Sequence, residues 1–429
     1  MSHLEQVEER DQIFPNSIFR AKGHDQNLQV ARGKHLSSEK REVETSFTGK
    51  SSELSRSAPV SDGFHFHPVK SVSPKNYTTT FTEVAVGTDD KLPVYEVYYP
   101  HVSRKAPVVL DSPHSGRYYP ADFGSAAPIS KLRWGEDAYV DELILGGVES
   151  GAIVLYALFP RCYIDVNRFP NDIDMELVDG EWPEALAVSE KTKKGLGLLR
   201  KYVVPGVRVY QRKLSVAEVQ FRLEHYYKAY HRELQRQLET TFQEFGTVFH
   251  IDFHSMKSKG NKMTPDMDGS RRPDMVVGNL RGKSAGPEFT AVVVDTLQDL
   301  GYRVSLNEPY AGAAILRMYG NPRQGRHSIQ IEINRELYLD EKRVRKIPGK
   351  FERLRDDLSI LFRRVCAWAN AHRSPHSNQP GIRRVLSSDD ISLFDDGGGF
   401  CDDSDTDWEK TPEQEDSESQ LEEDGLEMD

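Results

Sequence analysis

Between about residues 105 and 370 the chain alternates short apolar runs with longer amphipathic stretches. The runs at 106–113, 152–158, 162–167, 247–254, 275–280, 303–307 and 328–335 are rich in Val, Ile and aromatics and are bounded by Gly, Pro or charge, which predicts strands. Residues 137–149 and 287–300 read as helices, and 349–370 reads as a last one. A long amphipathic helix is predicted over 215–244, opened by Ser215 with Glu218 three residues on, the spacing of a capping box. Strands that alternate with helices predict an α/β fold, with a mostly parallel sheet covered on both faces. Ligand sites in such sheets gather at the carboxyl ends of the strands.

Outside this region the pattern fades. Residues 1–75 are rich in Ser, Lys, Arg, Glu and His and have few periodic apolar positions, so they are expected to form a disordered arm. Residues 375–429 are expected to form a second, acidic one, leaving 76–374 as the folded domain. Residues 389–429 hold 18 acidic side chains against the single Lys410, so the rest of the chain is net positive by 6 although the whole carries −11. A mildly basic body is compatible with an anionic small substrate without demanding one. The acidic tail is a candidate binding segment for a protein partner.

Cys162, Cys366 and Cys401 are too few and too scattered for a disulfide framework or a Cys-based zinc site. No apolar run approaches the length of a membrane span, and the acidic N-terminus lacks an apolar leader, so a cytoplasmic protein is expected.

Four predicted strand ends carry polar clusters. Asp111-Ser-Pro-His114-Ser-Gly116-Arg117 puts a histidine directly after an apolar strand, with Gly116 permitting a tight turn. In Arg161-Cys-Tyr-Ile-Asp165-Val-Asn167-Arg168, alternation sets Arg161, Tyr163, Asp165 and Asn167 on one face and Cys162, Ile164 and Val166 on the other. A buried structural Arg–Asp pair explains that run as readily as a cavity does. Arg168, just past it, is suited to clamp a carboxylate. His250-Ile-Asp252-Phe-His254 places an Asp two residues ahead of a His that it can orient. In Gln330-Ile-Glu332-Ile-Asn334 a carboxylate interrupts a core-like strand, so it is expected to be paired, metal-bound or tuned for acid–base work.

Each cluster alone is most simply structural. Together they offer two imidazoles, a candidate general base and several arginines at the strand ends of one sheet, the parts of a zinc hydrolase with an open coordination position. Other chemistries lack their signatures. There is no GxSxG elbow, no GxxxxGK[ST] or strand-placed GxGxxG, and no basic stripe interleaved with aromatics to bind nucleic acid.

In order and spacing, PHSGRYYP (113–120), EDAYVDEL (136–143), RCYIDVNR (161–168), LSVAEVQFRLEHYYKAYH (214–231), HIDFHSM (250–256), NEPYAG (307–312) and GRHSIQIEINRELYLDE (325–341) resemble the N-formylglutamate amidohydrolase family. That family is similar to the zinc carboxypeptidases and the aspartoacylase group. The resemblance implies a three-layer α/β/α, phosphorylase/hydrolase-like fold with a mostly parallel mixed central sheet. It also implies hydrolysis of an N-acyl acidic amino acid, most simply N-formyl-L-glutamate, by an enzyme holding Zn2+ or another divalent transition metal. By the same resemblance His114 and His254 are metal ligands, Glu332 is the general base, and Arg161 polarises the scissile carbonyl. Asn167 and Arg168 hold a substrate carboxylate, and Tyr310 and His327 line the pocket. One departure stands out: the wider group's HxxE glutamate is Arg117 here, so Asp137, or else its neighbour Glu136, is expected to supply the third ligand. A deacylase of other N-acyl amino acids or short peptides, or a non-catalytic scaffold, are the alternative expectations.

Overall fold

Eight strands build the central sheet of the computed structural model, which describes residues 78–85, 91–266 and 269–373. The two arms expected to be disordered lie outside the described residues. In chain order the strands are β1 (Thr78–Ala85), β2 (Lys91–Tyr99), β3 (Val108–Ser112), β4 (Ile153–Ala157), β5 (Val248–Met256), β6 (Met275–Gly278), β7 (Val304–Leu306) and β8 (Arg326–Asn334). Their order across the sheet is β1-β2-β4-β3-β5-β8-β6-β7. The central four, β4, β3, β5 and β8, are mutually parallel. β2 pairs antiparallel with β4, and β6 antiparallel with β8. The sheet is therefore mixed with a parallel centre, as expected.

Alternation along the central strands divides the sheet into an apolar and a polar face. Leu110, Ile251, Phe253, Ile329, Ile331 and Ile333 point into one core cluster. That side is covered by α1 (Val140–Ile144), α2 (Gly147–Ser150) and two longer helices, Pro287–Asp299 and Lys350–Ala371. The opposite side carries Asp111, His250, Asp252, His254, Ser328 and Gln330, all buried. It is covered by the helical stretch 216–245, which contains a five-residue π turn at Leu223–Tyr227. The capping box predicted for this stretch is present, with Ser215 and Glu218 bonding each other's backbone. No helix among the described residues is long and apolar enough to cross a membrane.

Two predicted elements differ from the structure. Residues 162–167 form a buried loop of turns rather than a strand. Its carbonyls are taken by side chains from the 216–245 stretch instead of by a neighbouring strand: Arg222 Nη1 donates to Tyr163 O at 3.0 Å, Tyr227 Oη to Arg168 O at 2.8 Å, and His231 Nε2 lies 2.8 Å from Val166 O. Alternating apolar and polar residues suited this loop because both of its sides face protein. The helix expected over 137–149 is broken into α1 and α2, and it begins only after Tyr139, whose φ is 66°.

Gly116 is needed for a close approach rather than for a turn. A Cβ there would collide with the backbone of Leu158 and Phe159, while the next residues are held by Tyr118 N donating to Leu158 O at 2.8 Å. Gly116→Ala is expected to destabilise the domain by about 2–4 kcal/mol, because backbone cannot yield as a side chain would. Urea denaturation checks this, and an unchanged midpoint would show that the segment is free to move.

Candidate active site

The site lies where three adjacent parallel strands end. His114 follows β3 by two residues, and His254 on β5 stands in register with Glu332 on β8. The segment ahead of α1 crosses in front of them, tied by Asp137 N donating to His114 O at 3.0 Å. His114 Nδ1 and His254 Nδ1 are 3.1 Å apart, His254 Nδ1 is 3.1 Å from Asp137 Oδ2, and His114 Nδ1 is 3.5 Å from the same oxygen. A tetrahedral ion with bonds of about 2.0–2.1 Å keeps its ligand atoms about 3.3 Å apart. The three side chains, all buried, thus match the ligand set of one divalent ion.

Each imidazole has a carboxylate behind it. His114 Nε2 donates to Asp165 Oδ1 at 2.7 Å, and His254 Nε2 lies 2.8 Å from Asp252 Oδ1. A carboxylate at Nε2 favours the tautomer whose Nδ1 lone pair is free to bind a metal and makes that nitrogen more basic; Asn167 Nδ2 also lies 3.1 Å from His254 Nε2. Asp165 also binds Arg161 through Nη2 at 2.8 Å and Arg200 through Nη2 at 3.3 Å. Asp137 Oδ1 accepts from Arg335 Nη2 at 3.0 Å and Ser255 Oγ at 3.1 Å, so Oδ2 is the oxygen presented. Asp137 stands three residues ahead of α1, and it is Arg335 and Ser255 that orient it. Glu136 turns away to Tyr119 and Arg133, and Arg117 bonds Asp141 and Glu142 at 3.0 and 3.1 Å.

The electrostatics favour a cation among these groups. Burial penalises charge on Asp137 and Asp165, yet His114, His254 and Arg161 around the first, and Arg161 and His114 around the second, hold both well below the usual carboxylate range. Burial also penalises charge on His254, but Asp252, Asp137 and Glu332 outweigh it and raise that imidazole well above its ordinary range. His114 shifts down, through burial and the nearby Arg161. Burial, reinforced by Asp137, raises Glu332, whose Oε1 accepts from Gln330 Nε2 at 2.9 Å.

Of the other residues read from the sequence, Arg161 keeps one terminal nitrogen, Nη1, off Asp165 and 3.8 Å from Asp137 Oδ2. Arg168 is buried and bonded to the main-chain oxygens of Leu196 and Asn167 at 2.8 and 2.6 Å. Tyr310 is partly buried, with Arg272 over its ring at 5.1 Å.

Two expectations need correction. Asn167 does not reach into the pocket as a clamp. Its Oδ1 accepts from Ile315 N at 2.9 Å and its Nδ2 lies 3.3 Å from Asp252 Oδ2, so both ends of the amide are engaged behind His254. His327 is five residues before Glu332 on β8, about 16 Å along the strand, and has the opposite parity. It accepts from Gly286 N at 3.0 Å and stacks on Phe249, in the apolar layer.

Sequence reasoning missed Arg335 and Lys191. The first directly follows Asn334 of the recognised strand end; the second sits in a lysine-rich run with no local signal. A second constellation, Ser328 Oγ at 2.8 Å from His250 Nδ1 with His250 Nε2 at 2.9 Å from Asp111 Oδ1, has the makings of a nucleophile triad. All three residues are buried, and Tyr230 Oη caps Asp111 at 2.7 Å, so the cluster is sealed core.

With this geometry established, the similarities are informative. The sequence model of the N-formylglutamate amidohydrolase family matches residues 106–339. N-formylglutamate deformylase of Pseudomonas aeruginosa is 28% identical over 242 residues, covering 56% of this chain and 84% of its own. The Pseudomonas putida enzyme of the same name is 26% identical over 245 residues, 55% of this chain and 83% of its own. The crystal structure of N-formylglutamate amidohydrolase from Ralstonia eutropha JMP134 superposes with a TM-score of 0.62 at 38% identity, covering 65% of this chain and 99% of that one.

Asp137→Ala is expected to lose most of its bound metal, since two imidazoles alone hold a divalent ion weakly. Glu136→Ala should keep it, because Glu136 faces Tyr119 and Arg133. Elemental analysis of both purified variants decides; retention in Asp137→Ala with loss in Glu136→Ala would reverse the assignment.

Proposed function

The chain belongs to the N-formylglutamate amidohydrolase family, and from that premise we propose that it hydrolyses N-formyl-L-glutamate to formate and L-glutamate, using zinc held by His114, Asp137 and His254. The observation that carries this reading is the convergence of three ligand atoms beside a carboxylate raised by burial. Two nitrogens and one oxygen suit zinc and leave room for water and substrate. When bound, the ion would supply Lewis acidity toward the acyl oxygen and make a water easier to deprotonate.

The protein's own groups then divide the work. Glu332 accepts a proton from the attacking water and delivers it to the departing amine, roles that one carboxylate with a raised pKa performs in turn. Arg161, held by Asp165, directs Nη1 at the oxygen on which negative charge develops. Arg168 takes a substrate carboxylate. Burial keeps the Tyr310 phenol protonated, so it serves the pocket wall as a hydrogen-bond donor. Asn167 has the different role of bracing Asp252, which in turn fixes the His254 ring. A scaffold without catalysis has no use for paired imidazoles backed by carboxylates, and this counts against that alternative.

Glu332→Gln is expected to retain fold and metal while kcat falls by about 10²–10⁴, the usual contribution of a general base. Steady-state assays of formate release from N-formyl-L-glutamate, with circular dichroism and metal content as controls, check this. Activity within a few-fold of wild type would remove Glu332 from the reaction.

A further inference from the structure

Most cations around the pocket are neutralised by the protein. Arg161 and Arg200 share Asp165, Arg335 binds Asp137, and Arg272 is paired with Asp266 through two bonds of 2.6 Å. Arg168 and Lys191 are different. The guanidinium of Arg168 bonds only main-chain oxygens, and Lys191 makes no ion pair among the described residues. Lys191, on the short helix Glu190–Lys193, has its Nζ 5.9 Å from the centroid of the Tyr310 ring.

The two cations share one scaffold. Leu196 N donates to Lys191 O at 2.8 Å, and Leu196 O accepts from Arg168 Nε at 2.8 Å. The segment that carries Lys191 is pinned as well. Asp172 accepts from Ser189 N and Ser189 Oγ, both at 2.8 Å, and from Thr192 Oγ1. A Cβ on Gly197 would collide with the Thr192 side chain. The backbone that carries Lys191 is therefore fixed, while its side chain is exposed. Desolvation by the surrounding protein and the repulsion of Arg168 and Arg161, opposed by Glu332 and Asp165, shift its ammonium down. An anion between the two cations would relieve that repulsion.

We propose that Arg168 and Lys191 are two separate carboxylate subsites, Arg168 for the α-carboxylate and Lys191 for the side-chain carboxylate, so that Lys191 selects dicarboxylic N-acyl amino acids. The assignment follows depth. Arg168 is 7% exposed and lies three residues along the loop from Asp165, which backs His114, so it suits the α-carboxylate, the one bonded to the amide-bearing carbon. Lys191 is exposed, with its Nζ beside the Tyr310 ring, and so suits the longer arm of a glutamate. The inference rests on the reading of the site as an N-formyl amino acid hydrolase.

The test compares N-formyl-L-glutamate with N-formyl-L-glutamine, which has nearly the same shape but no side-chain charge. Wild type should prefer the glutamate by about 10- to 100-fold in kcat/KM, the range of one charge-assisted hydrogen bond. Lys191→Met should bring the ratio near one by raising KM for the glutamate, with the glutamine rate little changed and serving as the control for folding. Lys191→Arg should keep most of the preference. A Met variant that retains the wild-type ratio, or loses both substrates equally, overturns the inference, as does a wild type without preference. A wild type that hydrolyses neither substrate would instead overturn the proposed function, and the inference with it.

Discussion

Charge buried at the carboxyl edge of the parallel strands sets the terms for everything around it. Asp137, Asp165 and Asp252 have almost no exposure to solvent and converge on two imidazoles, with Glu332 in register beside them. Removing one such charge from water costs several kcal/mol even after relaxation, so the arrangement persists only if it is compensated. Arg161, Arg200 and Arg335 supply part of that compensation through direct bonds. The Nδ1 atoms of His114 and His254 and Oδ2 of Asp137 converge as a group that could hold a metal ion.

The rest of the fold can be understood as support for this edge. One sheet face is apolar, so the strands are anchored by ordinary packing against the helices over it. The other face carries the polar row, which the 216–245 stretch covers and reaches through Tyr230 Oη on Asp111. The same helical stretch holds the carbonyls of the 161–168 loop, which delivers Arg161, Asp165 and Arg168. A loop with so many charged side chains can be buried because its backbone groups are bonded to side chains.

How much of this was legible in the sequence depended on whether the signal was local. Alternation in 250–254 and 328–334 identified the strands and put His254 and Glu332 on one face, because a period of two survives in any strand. The same parity sets His327 on the face of Ile329, Ile331 and Ile333, in the apolar layer. The 162–167 run deceived because a buried loop alternates as a strand does. The orientation of Asp137 could not be read locally, since the group that fixes it, Arg335, is 198 residues away. Strands β1 and β2 at the sheet edge went unnamed, their apolar positions being interrupted by Thr, Glu and Lys.

The central claim is that one divalent ion is held by three specific atoms, with both imidazoles turned so that Nδ1 faces the ion. Anomalous diffraction at the zinc absorption edge, from crystals of the zinc-loaded protein, tests it most directly. A single peak within bonding distance of His114 Nδ1, His254 Nδ1 and Asp137 Oδ2 is the expected result. Coordination through either Nε2, ligation by Glu136, or no peak at this position after zinc loading would contradict the account.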